Sequence, residues 1–303
     1  TTLLFVAPVL GFLVDAVSTA NRSRTRQRGV VLAAVGLTLS AVFGVALQWP
    51  ATIRSSFGSL SGGDKVSDLL PFALVHLLPL LGAFLAVALT LGSIRKGVKL
   101  NPAMVFAVLA GLLVLLGFVA NAVANIGDAG LEGTTFEEGV WLSLVYAAVL
   151  AGMGALVHWG PKLWGRLLPV KAVLPLALLT FLGGVLSSLP MMVAGFADQP
   201  GGVFPVVQSG PSAVEFSYSG PASLWNGLAT AGHALALIAV LAFVGLALRA
   251  FTTGEKAGDD PWDGLTLEWA TTSPAPADNF TDLHVVQSAE PLLDLKPSNG
   301  SDA

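Results

Sequence analysis

Residues 102–126 read PAMVFAVLAGLLVLLGFVANAVANI, a run without one charged side chain. A helix that crosses a bilayer needs about 20 mainly apolar residues, and this run meets that length. Six further stretches share its character: Leu3–Thr19, Gly29–Trp49, Leu69–Leu91, Gly139–Trp159, Val170–Ala197 and Ala222–Leu248. No buried core helix of a water-soluble domain accounts for seven such runs in succession. The pattern predicts an all-α, polytopic membrane bundle of seven transmembrane helices. It fills residues 1–250, and residues 251–303 form an acidic, mostly extended tail.

Composition agrees. The chain has 303 residues, 54% hydrophobic and only 11% charged, where a soluble domain carries about 25% charged residues. That excludes a water-soluble enzyme, a disordered protein and a nucleic-acid binder with a basic face. There is no cysteine, so disulfides, iron–sulfur clusters and thiolate metal sites are excluded. Histidine is scarce, with four in all. The net charge of −4 hides an asymmetry: the tail sets Lys256 and Lys296 against ten carboxylates, while the body has an excess of basic residues.

The basic residues fall in alternate connections. Arg22, Arg24, Arg26 and Arg28 follow the first span, Arg95, Lys96 and Lys99 the third, and Lys162, Arg166 and Lys171 the fifth. Residues 127–138 have no basic residue and carry Asp128, Glu132, Glu137 and Glu138. Under the positive-inside rule the basic connections and the tail are cytoplasmic, and the first helix runs from outside to inside. The chain starts at Thr1-Thr2 with no basic n-region. The expectation is that earlier helices are missing, or are carried by another chain.

Polar residues within the spans are few: Asp15, His76, Asn121, Asn125 and His233. Intramembrane ionisable groups are functional candidates by default, and these five are the only material for a polar path. Each also has a structural reading. Asp15 lies near the cytoplasmic end, within reach of water or the following arginines. His76 sits between Pro71 and Pro79, where a proline frees a carbonyl, and suits an interhelical hydrogen bond, as does His233 between small neighbours. His158 beside Trp159 reads as an interface-belt residue and His284 as a solvated tail residue. No two histidines stand at metal-ligand spacing. Small residues crowd the fifth and seventh spans (Ala147, Ala151, Gly154, Ala229, Gly232) and favour close helix approach.

The tail adds a resemblance. Residues 261–280, PWDGLTLEWATTSPAPADNF, resemble the C-terminal signature of subunit I of haem–copper oxidases, a W-x-G-x-T-L-E-W segment followed by S-P-x-P-x-x-N-F. Val285–Ser288 and Pro291–Lys296 resemble the family's bacterial tail. Pro161-Lys162-Leu163-Trp164-Gly165-Arg166 is similar to its P-K-x-x-G-R turn between helices eleven and twelve, Gly92-Ser93-Ile94-Arg95 to the turn after helix eight, and Pro8–Thr19 to the end of helix six. The seven spans then correspond to helices six to twelve of a twelve-helix fold.

The resemblance implies a respiratory oxidase that reduces oxygen and moves protons with two haems and a copper. The implied ligand positions depart from it. After Trp49, where the family has adjacent histidines, stand Pro50, Ala51 and Thr52. Counted back from Pro161, the haem-ligating His-x-His falls on Gly139 and Trp141. The tyrosine of helix six falls on Leu3, the proton-channel lysine near Leu81, and the propionate-binding arginine pair on Gly201-Gly202. Haem and copper need imidazole donors. The expectation is therefore a chain with no haem, no copper and no catalytic, cofactor-binding or metal-binding residues. It reads as a degenerate, non-catalytic subunit I paralogue or fragment in a prokaryotic plasma membrane. Its partners would be the lipid bilayer and other oxidase subunits, or the chain with the missing helices, and no nucleic acid. Two alternatives stay open: the working half of a split oxidase, and an unrelated proton or ion transporter.

Overall fold

A computed structural model of the chain describes residues 2–23, 27–42, 46, 67, 69–95, 98, 101–202, 221–278, 280 and 285–295. Its main helices are α1 (Thr2–Asn21), α2 (Arg28–Leu37), α3 (Leu69–Gly92), α4 (Pro102–Ala124), α5 (Thr135–Trp164), α6 (Val170–Phe196) and α7 (Ala222–Thr253). A short α8 (Pro291–Leu295) lies in the tail. The only strands among the described residues are β1 (Arg166–Leu167) and β2 (Glu255–Lys256), an antiparallel pair with Arg166 opposite Lys256.

Helices α3 to α7 are each long and apolar enough to cross a membrane. The first span of the sequence reading is α1. The second begins as α2 and a 3₁₀ turn at Thr38–Ser40; the positions from Leu47 to Trp49, and Pro50, Ala51 and Thr52 after them, lie outside the described residues. The last helix runs five residues past the predicted Leu248, to Thr253. Large apolar side chains such as Leu237, Ile238, Leu241 and Leu248 face outward along it, as a lipid-facing helix requires. The chain is an all-α membrane helical bundle.

Local chemistry sets the helix ends. Asn101 accepts from Ala103 N at 2.9 Å and Pro102 opens α4, so one orphan N–H is capped and another is absent. Thr134 caps α5, whose first turn carries Glu137 and Glu138 against the helix dipole. Packing is mostly between chain neighbours: α4 on α5, α5 on α6, α6 on α7, with α1 set against α4 and α5. The common core joins Leu10, Leu13, Phe106, Leu113, Leu150 and Phe243. Small residues bring α6 and α7 together, and a Cβ on Gly183 would lie 2.7 Å from Ala236 N.

Helix α3 contains a π turn at Ala73–Leu77, in which Leu78 N–H bonds Ala73 O. The next bond in that register would come from residue 79, which is proline and has no N–H. Leu74 O is therefore left over, and Ser40 Oγ donates to it at 3.0 Å. The carbonyl freed near Pro79 is satisfied from α2's extension, and not by His76. Ser40→Ala is expected to destabilise the α2–α3 contact by about 1–2 kcal/mol, because a buried carbonyl loses its donor. Thermal unfolding in detergent checks this, and an unchanged midpoint would remove Ser40 from the role.

Candidate functional site

The five polar residues from the sequence fall in three places. His76 on α3 accepts from Asn121 Nδ2 at 2.9 Å, and Asn125 Nδ2 donates to Asn121 O at 2.8 Å. This group lies near the end of α4 that leads to the acidic connection. A small polar pocket of about 190 Å³ beside it is lined by Asn121, Asn125, Glu137 and Trp141. His233 on α7 hydrogen-bonds Tyr146 of α5, with Oη 2.7 Å from Nδ1. Asp15 on α1 pairs with His158 of α5, Nε2 to Oδ2 at 3.0 Å. Tyr146 and His158 are twelve residues apart on one helix, about 18 Å, so these groups do not form one site. Among the described residues no three His, Asp or Glu side chains converge as a metal-ligand set.

The densest chemistry is at the tail end of the bundle, and the sequence reading missed its centre. His158 is not an interface-belt residue. It is fully buried, enclosed by Phe12, Trp159, Trp262 and Trp269. Asp15 accordingly turns to His158; of the arginines that follow it, Arg24 and Arg26 lie outside the described residues. His284 lies outside the described residues. Trp262 Nε1 donates to His158 O at 2.8 Å, which fastens the tail to α5.

One turn on, Lys162 is 7% exposed. Its ammonium donates to Asp259 O at 2.6 Å and also to Thr271 O and Thr272 O, and it stands 5.7 Å from the Trp269 ring centre. An ammonium has three protons and no acceptor capacity, so three backbone carbonyls satisfy it. Gly165 ends α5 at φ 74°, a left-handed cap that glycine adopts without strain. A Cβ there would also lie 2.7 Å from Pro274 Cδ. Arg166 donates to Gly254 O at 2.6 Å. Farther along, exposed Arg22 pairs with Asp263, and Arg28 pairs with buried Glu290.

The segment 161–166 and the tail segment 261–274 are therefore two halves of one contact. The charge asymmetry of the sequence is part of it, since basic residues of the body meet acidic residues of the tail. The turn at Gly92–Arg95 has a similar explanation: Asn21 at the end of α1 donates to Ser93 O at 3.1 Å and accepts from Arg95 N at 3.2 Å.

Lys162→Met keeps the stem volume and removes the donors. The tail is expected to loosen, so limited proteolysis between 259 and 272 should accelerate at least tenfold, in line with the loss of charge-assisted bonds worth about 1.5–3 kcal/mol. Equal cleavage of variant and wild type would show that the ammonium does not hold the tail.

Helix α5 also meets α6 very closely at Gly139. A Cβ there would stand 2.6 Å from Met192 Cγ and 2.7 Å from Ser188 O. Trp141, two residues on, points outward at 42% exposure. Haem iron is held by an axial side chain such as imidazole. Neither position offers one, and at Gly139 there is no room for it.

Comparison with known proteins gives one consistent direction. No family model matches the chain. Cytochrome c oxidase subunit 1 of Thermostichus vulcanus is 28% identical over 192 residues, 62% of this chain and 33% of that protein. Cytochrome c oxidase subunit 1 of Bacillus subtilis is 29% identical over 64% of this chain and 30% of its own length. Cytochrome bo(3) ubiquinol oxidase subunit 1 of Buchnera aphidicola is 25% identical over 67% of this chain and 30% of its own length. The matched stretch spans about a third of the length of these curated relatives. With its membrane bundle and its docked signature tail, the chain is a partial relative of subunit I of the haem–copper oxidases.

Proposed function

We propose that this subunit I-like membrane protein is a haem- and copper-free paralogue or fragment, and that it serves as a structural or assembly partner in a respiratory terminal oxidase complex. The observation that carries the reading is Gly139. At a position where the resemblance places a haem ligand, the helix has no side chain and is wedged against Ser188 and Met192. Trp141 at the paired position has no imidazole, and Leu81, near the place of the proton-channel lysine, turns outward. The parts of the resemblance that persist are the ones that pack, the 161–166 turn and the tail. The basic connections support a tail on the cytoplasmic side, and the reading sets the chain in a prokaryotic plasma membrane.

The test is purification from native membranes with two readouts. Reduced-minus-oxidised difference spectra should show less than one tenth of a haem per chain, and other oxidase subunits should co-purify. One or more haems per chain, with oxygen consumption that follows the chain through purification, would overturn the reading and favour the split-oxidase alternative. Proton flux in liposomes that is lost in a His76→Ala variant would favour a transporter instead.

A further inference from the structure

A cavity outside the haem-related positions lies where α6 begins and α7 ends. Its volume is about 680 Å³, within the usual range for small-ligand sites. Its lining includes Leu168, Lys171, Leu246, Arg249, Glu255 and Trp262. We propose that it binds one anionic glycerophospholipid, with the phosphodiester at Lys171 and Arg249 and an acyl chain laid along α6 and α7.

Three observations carry this. The first is charge. Neither the Lys171 nor the Arg249 side chain has a hydrogen bond or ion pair among the described residues. With the Glu255 carboxylate on the rim, the site has one net positive charge. That matches a headgroup of one negative charge and mismatches a zwitterion. Helix α6 also starts here without a side-chain cap, so its positive end adds to the field.

The second is the direction of the apolar surface. Seven residues beyond Lys171, on the same face of α6, is Leu178, 56% exposed; eleven residues before Arg249, on the same face of α7, is Ile238, 65% exposed. These lie about 10 and 16 Å deeper into the span. A ligand held at both cations would meet apolar surface along the helices and not water. A free phosphate would use none of it.

The third is depth. Trp262 lines the cavity, and aromatic rings of this kind sit at headgroup level. Basic pockets between helices at that level bind anionic headgroups.

The test uses the whole chain, purified, delipidated and returned to nanodiscs. Native mass spectrometry should retain one phosphatidylglycerol per chain in preference to phosphatidylcholine or phosphatidylethanolamine. The double variant K171Q/R249Q should weaken retention roughly thirtyfold, the product of two headgroup contacts. The charge-conserving K171R/R249K should retain the lipid and so controls for folding, and E255Q should bind at least as tightly as wild type. Equal retention of the three lipids would overturn the proposal, as would a double variant that holds phosphatidylglycerol normally. So would inorganic phosphate protecting as well as the lipid, or a co-purifying protein subunit in place of lipid. Haem content plays no part in these readouts, so failure here is separate from failure of the proposed function.

Discussion

Replacing His158 with alanine is expected to lower the stability of the folded bundle by about 3–5 kcal/mol. Two effects add. Asp15 loses its hydrogen-bonded partner in a setting where its side chain is only 28% exposed. Removing the imidazole leaves a half-buried carboxyl without its hydrogen-bond donor. The imidazole also fills the space between Phe12, Trp159, Trp262 and Trp269, and truncation leaves a cavity that four large rings cannot close. Asp15→Asn should cost about 1 kcal/mol, because the amide oxygen still accepts from Nε2. The measurement is thermal unfolding in detergent, followed by tryptophan emission. His158→Ala should lower the midpoint well below that of Asp15→Asn and red-shift the native emission, since Trp262 and Trp269 become wetter. Equal midpoints for the two variants would mean that packing around the ring contributes little.

Gly139→His should not create a haem site. The new Cβ alone would stand within 2.7 Å of the Ser188 carbonyl oxygen and 3.0 Å of Met192 N, and backbone atoms cannot swing aside as a side chain does. Overpacking of this kind costs about 3 kcal/mol when the neighbour is rigid. The variant is expected to unfold at lower temperature and, mixed with haem, to show no Soret band above wild type. Adding Trp141→His should not help, because that position faces outward. Gly139→Ala brings the same Cβ and is expected to cost nearly as much, about 2–3 kcal/mol, without the imidazole. A stable G139H protein with a stoichiometric Soret band would show that the space between α5 and α6 opens readily, and would undercut the haem-free reading.

The helices are legible because a bilayer demands long apolar runs, and runs of that length survive any local irregularity. The charged residues are harder to read. Arg22 and Arg28 fit a topology rule, and they also hold Asp263 and Glu290 of the tail; the first property is local in sequence and the second is not. His158 reads as a belt residue from its neighbour Trp159, yet its partner Asp15 is 143 positions away. Lys162 is hidden for a different reason. Its partners are backbone carbonyls, which every residue has, so no residue type announces them. The π turn has half a signal in Pro79, but the donor that makes it tolerable, Ser40, lies in another helix. The resemblance locates the tail and the 161–166 turn as two motifs; only the packing reveals that they are one.

That contact has a consequence for biosynthesis. Lys162 and His158 leave the ribosome about a hundred residues before Thr271, so for that interval α5 carries an ammonium held only by water and an aromatic cluster without its tail cover. They are covered only after α6 and α7 have inserted and the tail has folded back. Closure of the bundle therefore waits for the tail. A chain that stops before Trp262 therefore lacks both the indole that fastens the tail to α5 and the Thr271 and Thr272 carbonyls that receive Lys162.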